Sequence, residues 1–105
     1  MPDEIYYDNS ATTRTREEAA KRVYEMLTSC YGNPSSLHRK GFEAQQQLEL
    51  ARGQVAASLG CQSSEIYFTS GGTEADNIAI LGVARAQKRR GNRIVTTAIE
   101  HDAVL

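Results

Sequence analysis

The sequence predicts an incomplete α/β domain in which N-terminal helices precede a βαβ unit. Three observations carry this expectation. Apolar residues recur at helical spacing in three stretches. Two compact runs rich in β-branched and aromatic residues, Ile66-Tyr67-Phe68-Thr69 and Arg93-Ile94-Val95-Thr96-Thr97, flank the third stretch. Glycines and prolines stand at the joints. Strand 66–69, helix 73–90 and strand 93–98 then form one βαβ unit, which implies a parallel pair joined by a right-handed crossover. A two-stranded parallel sheet needs both faces covered. Asp102-Ala103-Val104-Leu105 reads as the start of another helix, so these 105 residues are expected to be part of a larger domain.

Ile5-Tyr6-Tyr7 opens the chain as a short β-favouring run, and Asp8-Asn9-Ser10 reads as a polar turn. Thr15 stands three residues before Glu18, the spacing of a capping box. Ala20, Val23, Tyr24 and Leu27 behind it share one helical face, and the helix should end near Ser29 because Gly32-Asn33-Pro34 cannot continue it. Ser35 or Ser36 is expected to cap a second helix, whose stripe is Ala44, Leu48, Ala51, Val55 and Leu59 and whose stop is Gly60. Ser70-Gly71-Gly72 is read as a tight turn. Thr73, with Glu74 and Asp76 close behind, opens a third helix that finishes in Lys88-Arg89-Arg90, an order of charge that matches the helix dipole.

Composition narrows the function classes. Hydrophobic residues make up 40% and charged residues 24%, the proportions of an ordinary globular chain. Twelve basic against 13 acidic residues give a net charge of -1, so no basic excess draws the chain toward nucleic acid or a membrane surface. No apolar run approaches the roughly 20 residues of a membrane helix. Cys30 and Cys61 lack CxxC spacing and no signal peptide precedes them, which suggests a cytoplasmic location and idle or buried thiols.

Three places could carry chemistry. Thr69-Ser70-Gly71-Gly72-Thr73-Glu74 joins a strand end to a helix start, where glycines admit a ligand to the backbone and the free N–H groups of the helix attract an anion. It is neither GxGxxG nor GxxxxGK[ST], so a single phosphate suits it better than a dinucleotide or triphosphate. A turn that merely lets helix and strand pack explains the same glycines. Glu100-His101 follows the second strand, so His101 is expected to reach the same crevice, where it could move protons or stack on a planar ligand. A surface or helix-capping histidine is the plainer alternative. Tyr31-Gly32-Asn33-Pro34-Ser35-Ser36 makes a rigid turn in which Asn33 could orient a polar group, or simply a connector. His38 has no second histidine or cysteine at ligand spacing, so no metal site is expected.

Together these segments resemble the N-terminal portion of the NifS/IscS-type cysteine desulfurases, in the class V branch of the fold-type I pyridoxal-phosphate transferases. The stretches that carry the resemblance are Ile5 to Thr13, Tyr31 to Ser36, Phe68 to Asn77, and Glu100-His101, in matching order over essentially the whole chain. The Thr-Ser-Gly-Gly-Thr-Glu turn is more similar to the NifS/IscS group than to the SufS group.

The resemblance implies a fold-type I transferase domain, with 1–60 as an N-terminal helical segment and 61–105 as the start of the large cofactor-binding α/β domain. It implies that Gly72 and Thr73 hold the phosphate of pyridoxal 5'-phosphate, and that His101 stacks on the ring and assists proton transfer. Asn9, Ala11, Thr12 and Asn33 match segments near the substrate end. The implied reaction takes L-cysteine to L-alanine and leaves sulfur as a persulfide on an enzyme cysteine. Homodimerisation and a sulfur-acceptor or scaffold protein, as in iron–sulfur cluster assembly, are implied as well. The family's cofactor-bearing lysine, its aspartate partner for the ring nitrogen and its persulfide cysteine lie farther C-terminal. Lys21, Lys40, Lys88, Cys30 and Cys61 match none of them, so the 105 residues alone are expected to be inactive. A selenocysteine lyase, another class V aminotransferase, or a truncated association module are the alternatives.

Overall fold

The computed structural model describes residues 5–105 and divides into two compact units, Met1–Ser63 and Ser64–Leu105. The first unit holds α1, Glu17–Thr28, and α2, Arg39–Leu59. A single 3-10 turn at Ser63–Glu65 marks the boundary, and the second unit holds α3, Gly72–Ala86.

All three helices follow the apolar periodicity, but their starts differ from the expected ones. Arg16, extended and without a side-chain cap, precedes α1. Glu18 therefore falls at the second helical position rather than the third, and the Thr15–Glu18 capping box does not form. Glu17 and Glu18 instead place negative charge on the first turn, where the helix dipole favours it. At the far end Ser29 and Cys30 both donate to the Glu25 carbonyl, at 2.8 and 3.1 Å, closing α1 where the sequence suggested.

Neither Ser35 nor Ser36 caps α2. Their N–H groups are used one turn earlier: Ser35 donates to Asn33 Oδ1 and Ser36 to the Asn33 carbonyl, each at 2.9 Å. His38 takes the cap, its Nδ1 accepting from the Gly41 N–H at 3.3 Å. Gly60 ends the helix as expected, at φ 67° and ψ 32°, a conformation that costs glycine little. Cys61 N–H reaches back to the Ala56 carbonyl at 3.0 Å and Gly60 N–H to that of Ala57 at 3.4 Å, the paired bonds of a Schellman end.

α1 and α2 run antiparallel. Lys40, at the start of α2, donates to the Ser29 carbonyl at the end of α1 at 3.0 Å, and Arg22 bonds Gln47 farther along. The joint is tight. A Cβ on Gly32 would fall on the Lys40 carbonyl, and one on Gly41 would fall on the Ser36 carbonyl and stand 2.7 Å from that of Asn33. Gly41, Ala44 and Ala56 are buried, with Leu48 and Ala51 half-buried between them. The expected stripe thus rotates at its end, where Val55 and Leu59 face solvent. The α1 face of Val23, Tyr24 and Leu27 is exposed too.

In the second unit the expected βαβ arrangement is not found: among the described residues there is no strand. A ladder needs a second backbone about 4.8 Å away, and a parallel pair needs cover on both faces. Here Tyr67, Ile94 and Val95 are exposed, so the cover is missing. α3 ends at Ala86, earlier than expected, and Lys88, Arg89 and Arg90 lie in the turns that follow. The last residues make a turn closed by Val104 N–H on the His101 carbonyl at 2.8 Å rather than a helix.

Candidate functional site

The turn before α3 is built by its own side chains. Thr69 Oγ1 donates to the Gly71 carbonyl at 3.1 Å. Ser70 donates twice, from N–H and from Oγ, to Glu74 Oε2, each at 2.7 Å. These two bonds favour the ionised carboxylate and hold Glu74 below the usual carboxylate range. The sequence placed Thr73, Glu74 and Asp76 at the helix start, and of these Glu74 is the residue that reaches back to Ser70.

The first helical bond runs from Ala75 N–H to the Gly71 carbonyl at 3.1 Å. The N–H groups of Gly72, Thr73 and Glu74 precede it and have no helical acceptor. A Cβ on Gly71 or Gly72 would meet nothing within 4 Å, so the space beside these donors is open. Free donors, an open glycine backbone and the positive end of a 15-residue helix fit a phosphate group. Glu74 adds a negative charge, but it is spent on Ser70 and leaves the three N–H groups available.

His101 lies at the other end of the unit's sequence and in its own turn. Its Nδ1 accepts from the Ala103 N–H at 3.1 Å, which places the ring proton on Nε2. Just ahead, Thr97 Oγ1 donates to Glu100 Oε1 at 2.7 Å. The two site segments are joined by Asn77, whose Nδ2 donates to the Thr73 carbonyl at 2.9 Å and the Ala103 carbonyl at 3.4 Å. Sequence reasoning gave Asn77 no role. The only local signal was its position one helical turn after Thr73.

The remaining candidates belong to the first unit. Ala11 and Thr12 donate through their N–H groups to the Asp8 carbonyl at 3.1 and 3.2 Å, while Asn9 Nδ2 donates to the Tyr6 carbonyl at 3.3 Å. Asn33 organises the α1–α2 joint through the two bonds described above, and its own side-chain oxygen is occupied by Ser35. An open apolar hollow of about 680 Å³, lined by residues such as Ile80, Val83 and Ile94, lies along α3 and the segment after it. It contains neither Thr73 nor His101.

Residues 5–105 match the aminotransferase class-V family. The chain belongs to that family. Class V aminotransferases are pyridoxal-phosphate enzymes. The chain is 48% identical over 101 residues to "Cysteine desulfurase IscS" of Methanosarcina thermophila, covering 96% of this chain and 25% of that protein. It is 46% identical over 105 residues to the protein of that name from Clostridium botulinum, covering 100% and 26%. A "Putative cysteine desulfurase IscS 1" of Bacillus subtilis is 47% identical over 103 residues, 98% of this chain and 27% of that one. A solved "NIFS-LIKE PROTEIN" superposes with a TM-score of 0.84 at 43% identity, over 95% of this chain and 28% of that chain. The class V chain thus spans about a quarter of the length of the curated relatives it matches. Among its described residues no helix is long and apolar enough to cross a membrane.

Proposed function

We propose that this chain supplies the phosphate-binding turn and the ring-stacking imidazole of a pyridoxal-phosphate cysteine desulfurase. The observation that carries this reading is the open turn at Gly71-Gly72-Thr73, with its free N–H donors, in a class V chain. Gly72 and Thr73 bind the phosphate through backbone N–H groups, and the Thr73 hydroxyl offers one donor more. Ser70 and Glu74 keep the turn in shape. His101, whose Nδ1 accepts from the Ala103 N–H, would stack on the cofactor ring and hold or pass a proton at Nε2. Asn9, Ala11, Thr12 and Asn33 border the substrate end. Bound pyridoxal phosphate supplies the electron sink that breaking bonds at the amino-acid substrate requires.

The reaction proposed for the complete enzyme is transfer of the sulfur of L-cysteine to an enzyme thiol. The C–S bond of cysteine breaks, an S–S bond forms, and L-alanine leaves while the enzyme holds a persulfide. Further parts of the proposal are a cytoplasmic homodimer, delivery of sulfur to an acceptor or scaffold protein, and a division of labour between residues 1–60 and 61–105. Because no lysine or cysteine here matches the cofactor-bearing or sulfur-accepting position, the 105 residues alone are expected to bind phosphate weakly and to catalyse nothing. Incubation with pyridoxal phosphate and L-cysteine, assayed for sulfide and alanine, tests this. Turnover by the 105-residue chain would refute the assignment of the missing groups.

A further inference from the structure

Asn77 is an asparagine inside a helix, where alanine would be the better helix former. Its side chain is turned to two carbonyls instead. Nδ2 donates to Thr73, within the phosphate turn, and to Ala103, 26 residues away. The Ala103 N–H in turn donates to His101 Nδ1. Thus three hydrogen bonds lead from the turn to the imidazole. The carbonyl of Thr73 and the N–H of Glu74 belong to one peptide group. An anion accepting from that N–H polarises the carbonyl and makes it a better acceptor for Asn77. An uncharged amide suits the position, since it holds both carbonyls without opposing a phosphate nearby.

We propose that Asn77 is a positioning residue that couples the orientation and tautomer of His101 to an anion held at Gly72–Glu74. This rests on the reading of that turn as the phosphate site. The test is nuclear magnetic resonance on the ¹⁵N-labelled protein, titrated with inorganic phosphate at alkaline pH. In the native protein phosphate is expected to shift the amides of Gly72 to Glu74 and those of His101 and Ala103 together, with the ring proton on Nε2. In Asn77→Ala the Gly72–Glu74 response persists, the response at His101 and Ala103 is lost, and the ring exchanges between tautomers. Asn77→Asp, close in shape but with only acceptors to offer, gives the same loss while circular dichroism shows the helices intact. Retention of both tautomer and coupled response in the two variants would overturn the proposal. If phosphate moves none of the Gly72–Glu74 amides in the native protein, the phosphate reading fails instead. The tautomer comparison between native and variant proteins then decides the role of Asn77 by itself.

Discussion

Two glycines of α2 should respond in opposite directions to the same substitution. Gly→Ala in a helix interior ordinarily stabilises by about 1 kcal/mol, because alanine loses less backbone freedom on folding. At Gly53 the new Cβ meets only Ser63 Oγ, at 3.9 Å, an ordinary contact. Gly53→Ala should therefore realise the full gain of about 1 kcal/mol. At Gly41 the Cβ would land on the Ser36 carbonyl and stand 2.7 Å from the Asn33 oxygen and 2.8 Å from the Ser36 carbonyl carbon. All are backbone atoms, so no rotamer change relieves the clash, and restoring contacts of about 3.5 Å means moving the joint by about an ångström. Overpacking of this kind costs about 1–3 kcal/mol, which outweighs the propensity gain. The two variants should differ by the cost of the clash, about 1–3 kcal/mol, or roughly 4–24 °C in Tm at about 4–8 °C per kcal/mol. Thermal unfolding followed at 222 nm measures this directly. A Gly41→Ala protein as stable as Gly53→Ala would show that the close approach of helix and joint is not rigid, and the reasoning would fail.

Other expectations follow from single interactions. His38→Ala removes the cap of α2 and should cost about 0.5–2 kcal/mol in urea unfolding, with His38→Asn recovering part of it. Gly60→Ala forces a Cβ into the left-handed region at φ 67° and should destabilise by about 1–2 kcal/mol, measured the same way. Glu74 is held below the usual carboxylate range, so its bonds from Ser70 are fully present above that range and are lost as pH falls through the lowered value. Protection of the Ser70 amide, taken relative to its intrinsic exchange rate at each pH, should accordingly persist through the usual carboxylate range and be lost only below it. Glu74→Gln, which keeps an acceptor and removes a negative charge beside the turn, should strengthen inorganic phosphate binding in a ³¹P titration.

What could be read in the sequence was what local chemistry decides. Gly60 stops α2 because a left-handed residue is a local requirement, and the apolar spacing of all three helices needs no knowledge of distant chain. The glycine turn ahead of α3 was legible for the same reason, since glycines and a helix start lie side by side. The helix caps were missed where several polar residues competed: the serines after Pro34 were drawn into the Asn33 turn, and His38 inherited the cap. Strands failed because a ladder is a non-local bargain between two backbones, and apolar β-branched residues record only half of it. The link from Thr73 to His101 was invisible for a similar reason. It depends on Asn77 meeting a carbonyl that the chain returns only 26 residues later.

The helical pair of the first unit has a bearing on how the protein is made. Its tethers join residues close in sequence, Lys40 to Ser29 at a separation of 11 and Arg22 to Gln47 at 25. Local contacts of this kind close with little loop entropy, and helices form within about a microsecond, whereas a ribosome adds a residue only every 0.05–0.2 s or so. The α1–α2 hairpin can therefore assemble co-translationally, before the turn ahead of α3 and His101 have been synthesised. The α1–α2 pair would then be in place while the residues of the second unit are still to be added.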